Sequence, residues 1–241
     1  MHSHTLPEKS SLLRAGQVVG SVVHPSALPL AASAGVASKC DIVEFRVDAL
    51  TSEIPAVQAS MVACPIPSLL TVRDKQEGGM SGLSAGERDS LFTKLLPHAA
   101  FIDIEIANFP KFASLIAEAR RQNIFVIGSF HDFKSTPEAG KLNQLSSQAR
   151  DAGADIVKFA TTLRHTGDLA ILSALQENAT LPLATMGMGP LGRVSRLLLA
   201  SLGSVLNYGF LDQPTVPGQW PAARLRELIR ELQSPGPVPP V

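Results

Sequence analysis

Ile124-Phe125-Val126-Ile127-Gly128-Ser129-Phe130, then an amphipathic stretch over 137–152, then Asp155-Ile156-Val157-Lys158-Phe159-Ala160: these residues decide the fold. Two short runs of β-branched and apolar residues flank a helix-length segment, the pattern of a parallel βαβ unit. Outward from this unit the same alternation recurs in both directions. Strands are expected at 17–23, 41–47, 68–73, 101–106, 124–130, 155–160, 181–186 and 204–210. Helices are expected after them, at about 27–39, 53–64, 84–97, 110–122, 137–152, 166–177, 192–202 and 220–233. Eight such units predict an α/β fold, a (β/α)8 TIM barrel in a single domain. A doubly wound open sheet is the competing architecture. Against it, Val23-His24-Pro25-Ser26 follows the first strand, where that fold would set a Gly-rich dinucleotide turn. Residues 1–15 read as a flexible N-terminal arm and 16–233 as the barrel. Residues 234–241, with four prolines and a glycine, read as a disordered tail.

The 241 residues are 45% hydrophobic and 17% charged, a balance suited to one large folded core. Lys plus Arg and Asp plus Glu both total 21. This balance offers no clustered positive charge for nucleic acid or an anionic membrane. The expected partners are therefore a small molecule or a second copy of the chain. Cys40 and Cys64 stand alone and read as reduced, small apolar residues. No apolar run reaches the ~20 residues that span a bilayer. Met1-His2-Ser3-His4 lacks the plan of a signal peptide, so a cytoplasmic location is expected.

In a barrel, alternate strand residues point inward and chemistry sits at the strands' C-terminal ends. In the second strand Val43, Phe45 and Val47 share the apolar face, so Glu44, Arg46 and Asp48 must look inward. The same alternation turns Asp103 and Glu105 inward, and pairs Thr71 with Arg73 and Ser129 with His131. Buried charges demand partners, so Glu44, Arg46, Asp103 and Glu105 could form a purely structural ion-pair network. Four strands directing polar groups at one rim read instead as a site.

Lys158 lies in an otherwise apolar strand, while the other seven lysines fall in expected helices, loops or the arm. An amine in an apolar, partly desolvated pocket is a usable nucleophile, and the carbonyl chemistry it performs is imine formation. The competing reading pairs the ammonium with Glu44 or Glu105 as core filler. His131 ends the neighbouring strand, where its imidazole could face Lys158 and move protons. His24 is a second, weaker candidate. No His-His-carboxylate set has metal spacing, so no metal is expected.

After the seventh strand, Met188-Gly189-Pro190-Leu191-Gly192-Arg193-Val194-Ser195-Arg196 offers glycine N–H groups, a hydroxyl and guanidinium donors for a carboxylate or phosphate. Thr215-Val216-Pro217-Gly218-Gln219 reads as a turn presenting a polar tip, or as a plain loop. Glu77-Gly78-Gly79 reads as a flexible loop able to close over the mouth.

In this order the motifs resemble type I 3-dehydroquinase (3-dehydroquinate dehydratase), the Schiff-base lyase of the shikimate pathway. The resemblance spans nearly the whole barrel. It rests on Glu44-Phe45-Arg46-Val47-Asp48, Thr71-Val72-Arg73 with Glu77-Gly78-Gly79, Asp103-Ile104-Glu105, and Ser129-Phe130-His131-Asp132-Phe133. Asp155-Ile156-Val157-Lys158, the 188–196 stretch and Pro217-Gly218-Gln219 complete it. The family implies a cofactor-free, frequently dimeric barrel acting on 3-dehydroquinate. By the same resemblance Lys158 forms the imine, His131 is the acid/base group and Glu77 orients it. Arg196 would hold the substrate carboxylate with help from Gln219, and Glu44, Arg46 and Arg73 would contact its hydroxyls. Ser21, Met188 and Thr215 complete the expected substrate-binding set. Thr215 and Val216 depart from the usual serine and alanine of the closing loop. Two other readings stay open: a class I aldolase, which would usually need a phosphate site, and a silent sensor of a cyclic hydroxy acid.

Overall fold

The computed structural model describes residues 13–214, 216 and 218–234. Eight strands are present: β1 Gln17–Val22, β2 Ile42–Arg46, β3 Ser68–Thr71, β4 Phe101–Glu105, β5 Phe125–Asp132, β6 Ile156–Thr162, β7 Leu183–Met188 and β8 Leu206–Phe210. They hydrogen-bond in parallel, in the order β7-β6-β5-β4-β3-β2-β1-β8. Between β8 and β7 the ring is closed by single bonds. Val205 N donates to Leu183 O at 3.0 Å, and Thr185 N donates to Ser204 Oγ at 3.2 Å. The result is the expected (β/α)8 barrel. Its helices are α1 Leu28–Ala31, α2 Ile54–Ala63, α3 Ala85–Leu95, α4 Ala113–Arg121, α5 Ala139–Asp151, α6 Thr166–Glu177, α7 Gly192–Ser201 and α8 Ala222–Gln233.

Two expected helices are corrected. The segment 27–39 is broken into a 3₁₀ turn, the four-residue α1 and a second 3₁₀ turn Ala34–Ser38. Ser33 adopts an extended conformation between the last two and donates its hydroxyl to Leu30 O at 2.8 Å, which stops the helix. The segment expected to start at 110 is a 3₁₀ turn, Ile106–Phe112, with Pro110 inside it, and α4 begins only at Ala113. Proline lacks the N–H an α-helix would need there. By contrast α3 starts on a capping box: Ser84 Oγ accepts from Glu87 N while Glu87 accepts from Ser84 N. β5 and β6 each run two residues beyond the expected end, carrying His131 into the ladder opposite Ala160.

Strand alternation divides the interior as expected. Val43, Phe45, Ile102, Ile104, Val157 and Phe159 face outward into the large apolar layer under the helices. Val19, Ile42, Leu69, Phe101, Phe125, Ile127, Ile156 and Leu206 fill the barrel's lower half, with Phe101 and Phe125 stacked at 5.0 Å. Leu13 packs against this plug. Above it the inward positions turn polar: Ser21 opposes Glu44, Thr71 opposes Asp103, and Ser129 opposes both Glu105 and Lys158. Among the described residues no helix is long and apolar enough to cross a membrane.

Candidate active site

At the strands' C-terminal ends a cleft of about 740 Å³, counting space open to solvent, is lined by side chains from seven of the eight strands or the loops that follow them. Lys158 reaches it from β6. Its Nζ donates to Asp103 Oδ2 at 2.9 Å and lies 4.1 Å from the ring centroid of Tyr208. This differs from the apolar pocket and from the Glu44 or Glu105 pairing considered from sequence. The partner is Asp103, across β5 from Lys158. Asp103 is fully buried. Burial alone would raise its pKa, but Arg73 and Lys158 outweigh that and hold it well below the usual carboxylate range.

Arg73 ties the floor of the cleft together. Its guanidinium donates to Asp103 at 2.9 Å, Glu105 at 2.9 Å and Ser129 Oγ at 2.7 Å. Ser129 Oγ in turn donates to Asp103 Oδ1 at 2.6 Å. Glu105 is held from behind by Arg88 of α3, which also grips Asp74 at 3.0 Å and Val72 O at 2.8 Å. Arg88 was not singled out from sequence, because a helix arginine carries no mark of burial. Glu44 accepts from Ser21 Oγ at 2.5 Å and Thr71 Oγ1 at 2.9 Å. Arg46 forks onto Asp48 at 2.9 and 3.0 Å. Asp48 also accepts from the backbone N–H of Arg73 and Met80, so this inward charge staples the β3 loop and does not line the cleft.

That loop carries Glu77. Asp74 Oδ1 accepts from Gln76 N at 2.9 Å and caps the turn Lys75–Glu77; Gly78 then takes a positive φ of 88° that suits glycine. Glu77 Oε2 accepts from both His131 N at 2.9 Å and His131 Nδ1 at 3.0 Å. With Nδ1 as donor, Nε2 is left as the basic nitrogen. Burial, with Glu105 and Asp103 adding to it, lifts the Glu77 carboxyl to about 7 against the pull of Arg73. Burial, then Arg73 and Lys158, push the His131 imidazole well below its ordinary value. Imidazole is therefore neutral at neutral pH and competent as a base.

Arg196, expected to add guanidinium donors to the glycine N–H groups and hydroxyl of this stretch, is held by backbone carbonyls: Nε donates to Tyr208 O at 3.1 Å, and Nη1 to Gly187 O and Gly192 O at 2.8 Å and Gly218 O at 3.0 Å. Among the described residues none accepts from Nη2, and no carboxylate pairs with the guanidinium. Burial without a counter-ion lowers its pKa to about 10, still cationic at neutral pH. A buried cation of this kind is a site for an anion.

The family model for type I 3-dehydroquinase matches residues 18–235. The chain belongs to the type I 3-dehydroquinase family. A 3-dehydroquinate dehydratase from Methanocella arvoryzae is 33% identical over 204 residues, covering 83% of this chain and 91% of the relative. One from Enterococcus faecalis is 30% identical over 234 residues, covering 90% and 92%. The crystal structure of 3-dehydroquinate dehydratase from Geobacillus kaustophilus superposes with a TM-score of 0.81 at 27% identity, covering 90% of this chain and 91% of that one.

For a type I 3-dehydroquinase, the cleft gathers most of the residues read from sequence. Ser21, Glu44, Arg46, Arg73, Glu77, His131, Lys158, Met188, Arg196 and Gln219 all line it. Thr215 lies outside the described residues. His24 is exposed and takes no part in the lining. Tyr208, Met80, Phe133 and Met186 line the cleft without having been singled out. Alternation along β8 places Tyr208 inward with Leu206, a signal available but unused. Among the described residues no group of His, Cys, Asp or Glu is placed to hold a metal.

Proposed function

We propose that this chain dehydrates 3-dehydroquinate to 3-dehydroshikimate through an imine on Lys158, serving the shikimate route to chorismate and the aromatic amino acids. One observation carries the reading. A lysine amine, a neutral imidazole and an uncompensated buried guanidinium open onto the same cleft at the barrel mouth. An amine forms the imine, the imidazole moves protons, and the guanidinium takes the ring carboxylate. The catalytic unit is the barrel over residues 16–233, working without cofactor as a homodimer, as the family resemblance implies, and without metal in the cytoplasm, as expected from the sequence.

His131 takes a proton from the Lys158 ammonium, and Nζ attacks the ring ketone. A proton moves from nitrogen to oxygen in the carbinolamine, His131 returns its own to that oxygen, and water leaves to give a protonated imine. The cationic nitrogen remains beside Asp103 and the Tyr208 face, which already hold the ammonium. The imine draws electrons from the adjacent C–H bond. His131 removes that proton to give an enamine, then protonates the departing hydroxyl. Water hydrolyses the product imine and frees Lys158. Glu77, accepting from Nδ1, orients the imidazole and raises its basicity. Glu44, Arg46 and Arg73 meet the substrate hydroxyls, with Ser21 behind Glu44. Arg196, aided by Gln219, Met188 and Thr215, fixes the carboxylate end, an orientation worth several kcal/mol of barrier.

Mixing the protein with 3-dehydroquinate and following ultraviolet absorbance tests this directly, since the conjugated enone product absorbs where the substrate does not. A rising signal that disappears in Lys158→Ala is the expected result. A flat trace from folded protein would overturn it.

A further inference from the structure

Tyr208 stands on the inner face of β8, 4% exposed, with its ring under Lys158 Nζ. The neighbouring hydroxyls of the upper barrel are all engaged: Ser21 and Thr71 donate to Glu44, and Ser129 donates to Asp103. The Tyr208 hydroxyl has no partner among the described residues. The other unpartnered buried atoms belong to Ser81, Asn207 and Arg226, none of which lines the cleft. Leaving a buried hydroxyl unbonded costs about 1–3 kcal/mol, so such a group calls for an explanation. Here the unbonded group belongs to the residue that touches the proposed nucleophile.

We propose that Tyr208 is a further catalytic residue, whose hydroxyl hydrogen-bonds the oxygen that leaves and re-enters at the carbon bound to Lys158. This rests on the Schiff-base reading and adds to it. Any carbon joined to Nζ is held beside the Tyr208 ring, which brings the oxygen on that carbon near the hydroxyl, the side chain's one polar atom. During condensation the Nζ–C bond forms and the C=O pair withdraws to oxygen. A proton passes from nitrogen to that oxygen, His131 supplies the second, the C–O bond breaks and water departs. Hydrolysis runs the same steps in reverse, consuming one water. Tyr208 keeps its own proton throughout, because burial, then the Glu44 and Asp103 carboxylates, hold the phenol well above its ordinary value. It donates a hydrogen bond; it does not act as a base. His131 supplies the mobile protons here as it does at the adjacent C–H and the departing hydroxyl.

Tyr208→Phe deletes the hydroxyl and keeps the ring face toward Lys158. Single-turnover reactions with 3-dehydroquinate, quenched with borohydride at successive times, read the rise and decay of the lysine adduct by intact mass. We expect both phases to slow roughly tenfold, the worth of one hydrogen bond at the reacting atom. KM should change little, and the melting temperature should hold or rise once the unbonded hydroxyl is gone. Adduct kinetics equal to those of the unsubstituted enzyme would overturn the proposal, whatever the melting temperature does. Tyr208→Leu, lacking the ring as well, should be slower still; equal rates in the Phe and Leu variants and the unsubstituted enzyme would also overturn it. Absence of any adduct in the unsubstituted enzyme would remove the Schiff-base reading first, and this inference with it.

Discussion

Lys158 Nζ and Asp103 Oδ2 are 2.9 Å apart though 55 residues separate them in the chain. The ion pair is buried and spans from β6 to β4 across the inside of the barrel. It places a fixed anion beside a nitrogen that must be cationic both as ammonium and as imine. Asp103→Asn should therefore weaken catalysis and also leave Lys158 and Arg73 short of a counter-charge. We expect a loss of about 3–5 kcal/mol in urea unfolding at neutral pH. Because Asp103 is held below its unfolded value, its contribution is present above about pH 4 and fades as pH falls further. The Asn variant should show a shallower loss of stability in acid. A variant as stable as the parent at pH 7 would contradict this.

Glu77 shapes the pH profile. Its carboxyl ionises near 7, and the ionised form is the better acceptor for His131 Nδ1–H. kcat/KM should climb as pH rises through about 7, and Glu77→Gln should lose that inflection and fall about 10- to 100-fold. Stability moves the opposite way. A raised carboxyl pKa favours the fold below its unfolded value of 4.5, and that advantage is lost as pH rises toward 7. Glu77→Gln should flatten this decline, which chemical denaturation at pH 5 and about pH 8 would show.

Gly79 is fixed by close approach. A Cβ there would meet Arg73 O at 2.3 Å and Asp74 C at 2.8 Å, both backbone atoms that cannot swing aside. Gly79→Ala should shift the turn that presents Glu77. The expected outcome is about 1–3 kcal/mol of destabilisation with a lowered kcat. Thermal melting and steady-state kinetics check it; a melting temperature and kcat unchanged from the parent would refute the strain.

Arg196→Ala removes both the cation and the donor to four carbonyls. KM should rise and kcat should fall, since orientation matters in the transition state. The carbonyls left behind add a stability loss of about 1–3 kcal/mol. Unchanged kinetics would remove Arg196 from the substrate site.

The barrel and the identity of the rim residues were legible in the sequence, because strand alternation is a two-residue signal and Glu44, Arg46, Asp103, Glu105 and Lys158 stand against apolar partners on the opposite face. Their pairing was not. Whether Lys158 meets Glu44, Glu105 or Asp103 depends on the stagger between strands, which no local pattern encodes. The Arg196 clasp was hidden for another reason. Its acceptors are backbone carbonyls, and a carbonyl carries no residue identity to read. Arg88 sits on a helix whose surface pattern gives no hint that its guanidinium crosses under the β3 loop to Glu105. The break in 27–39 falls at Ser33, which turns extended and bonds Leu30 O through its hydroxyl, a local competition that apolar periodicity does not report.

The central claim is the imine on Lys158, and borohydride reduction in the presence of 3-dehydroquinate tests it most directly. The account predicts an inactivated protein heavier by one reduced ligand, with the added mass mapping to the peptide that holds Lys158. Lys158→Ala should take up no mass and show no turnover, while His131→Ala should still be labelled and turn over poorly. Full turnover by Lys158→Ala, or a label on any other lysine, would contradict it.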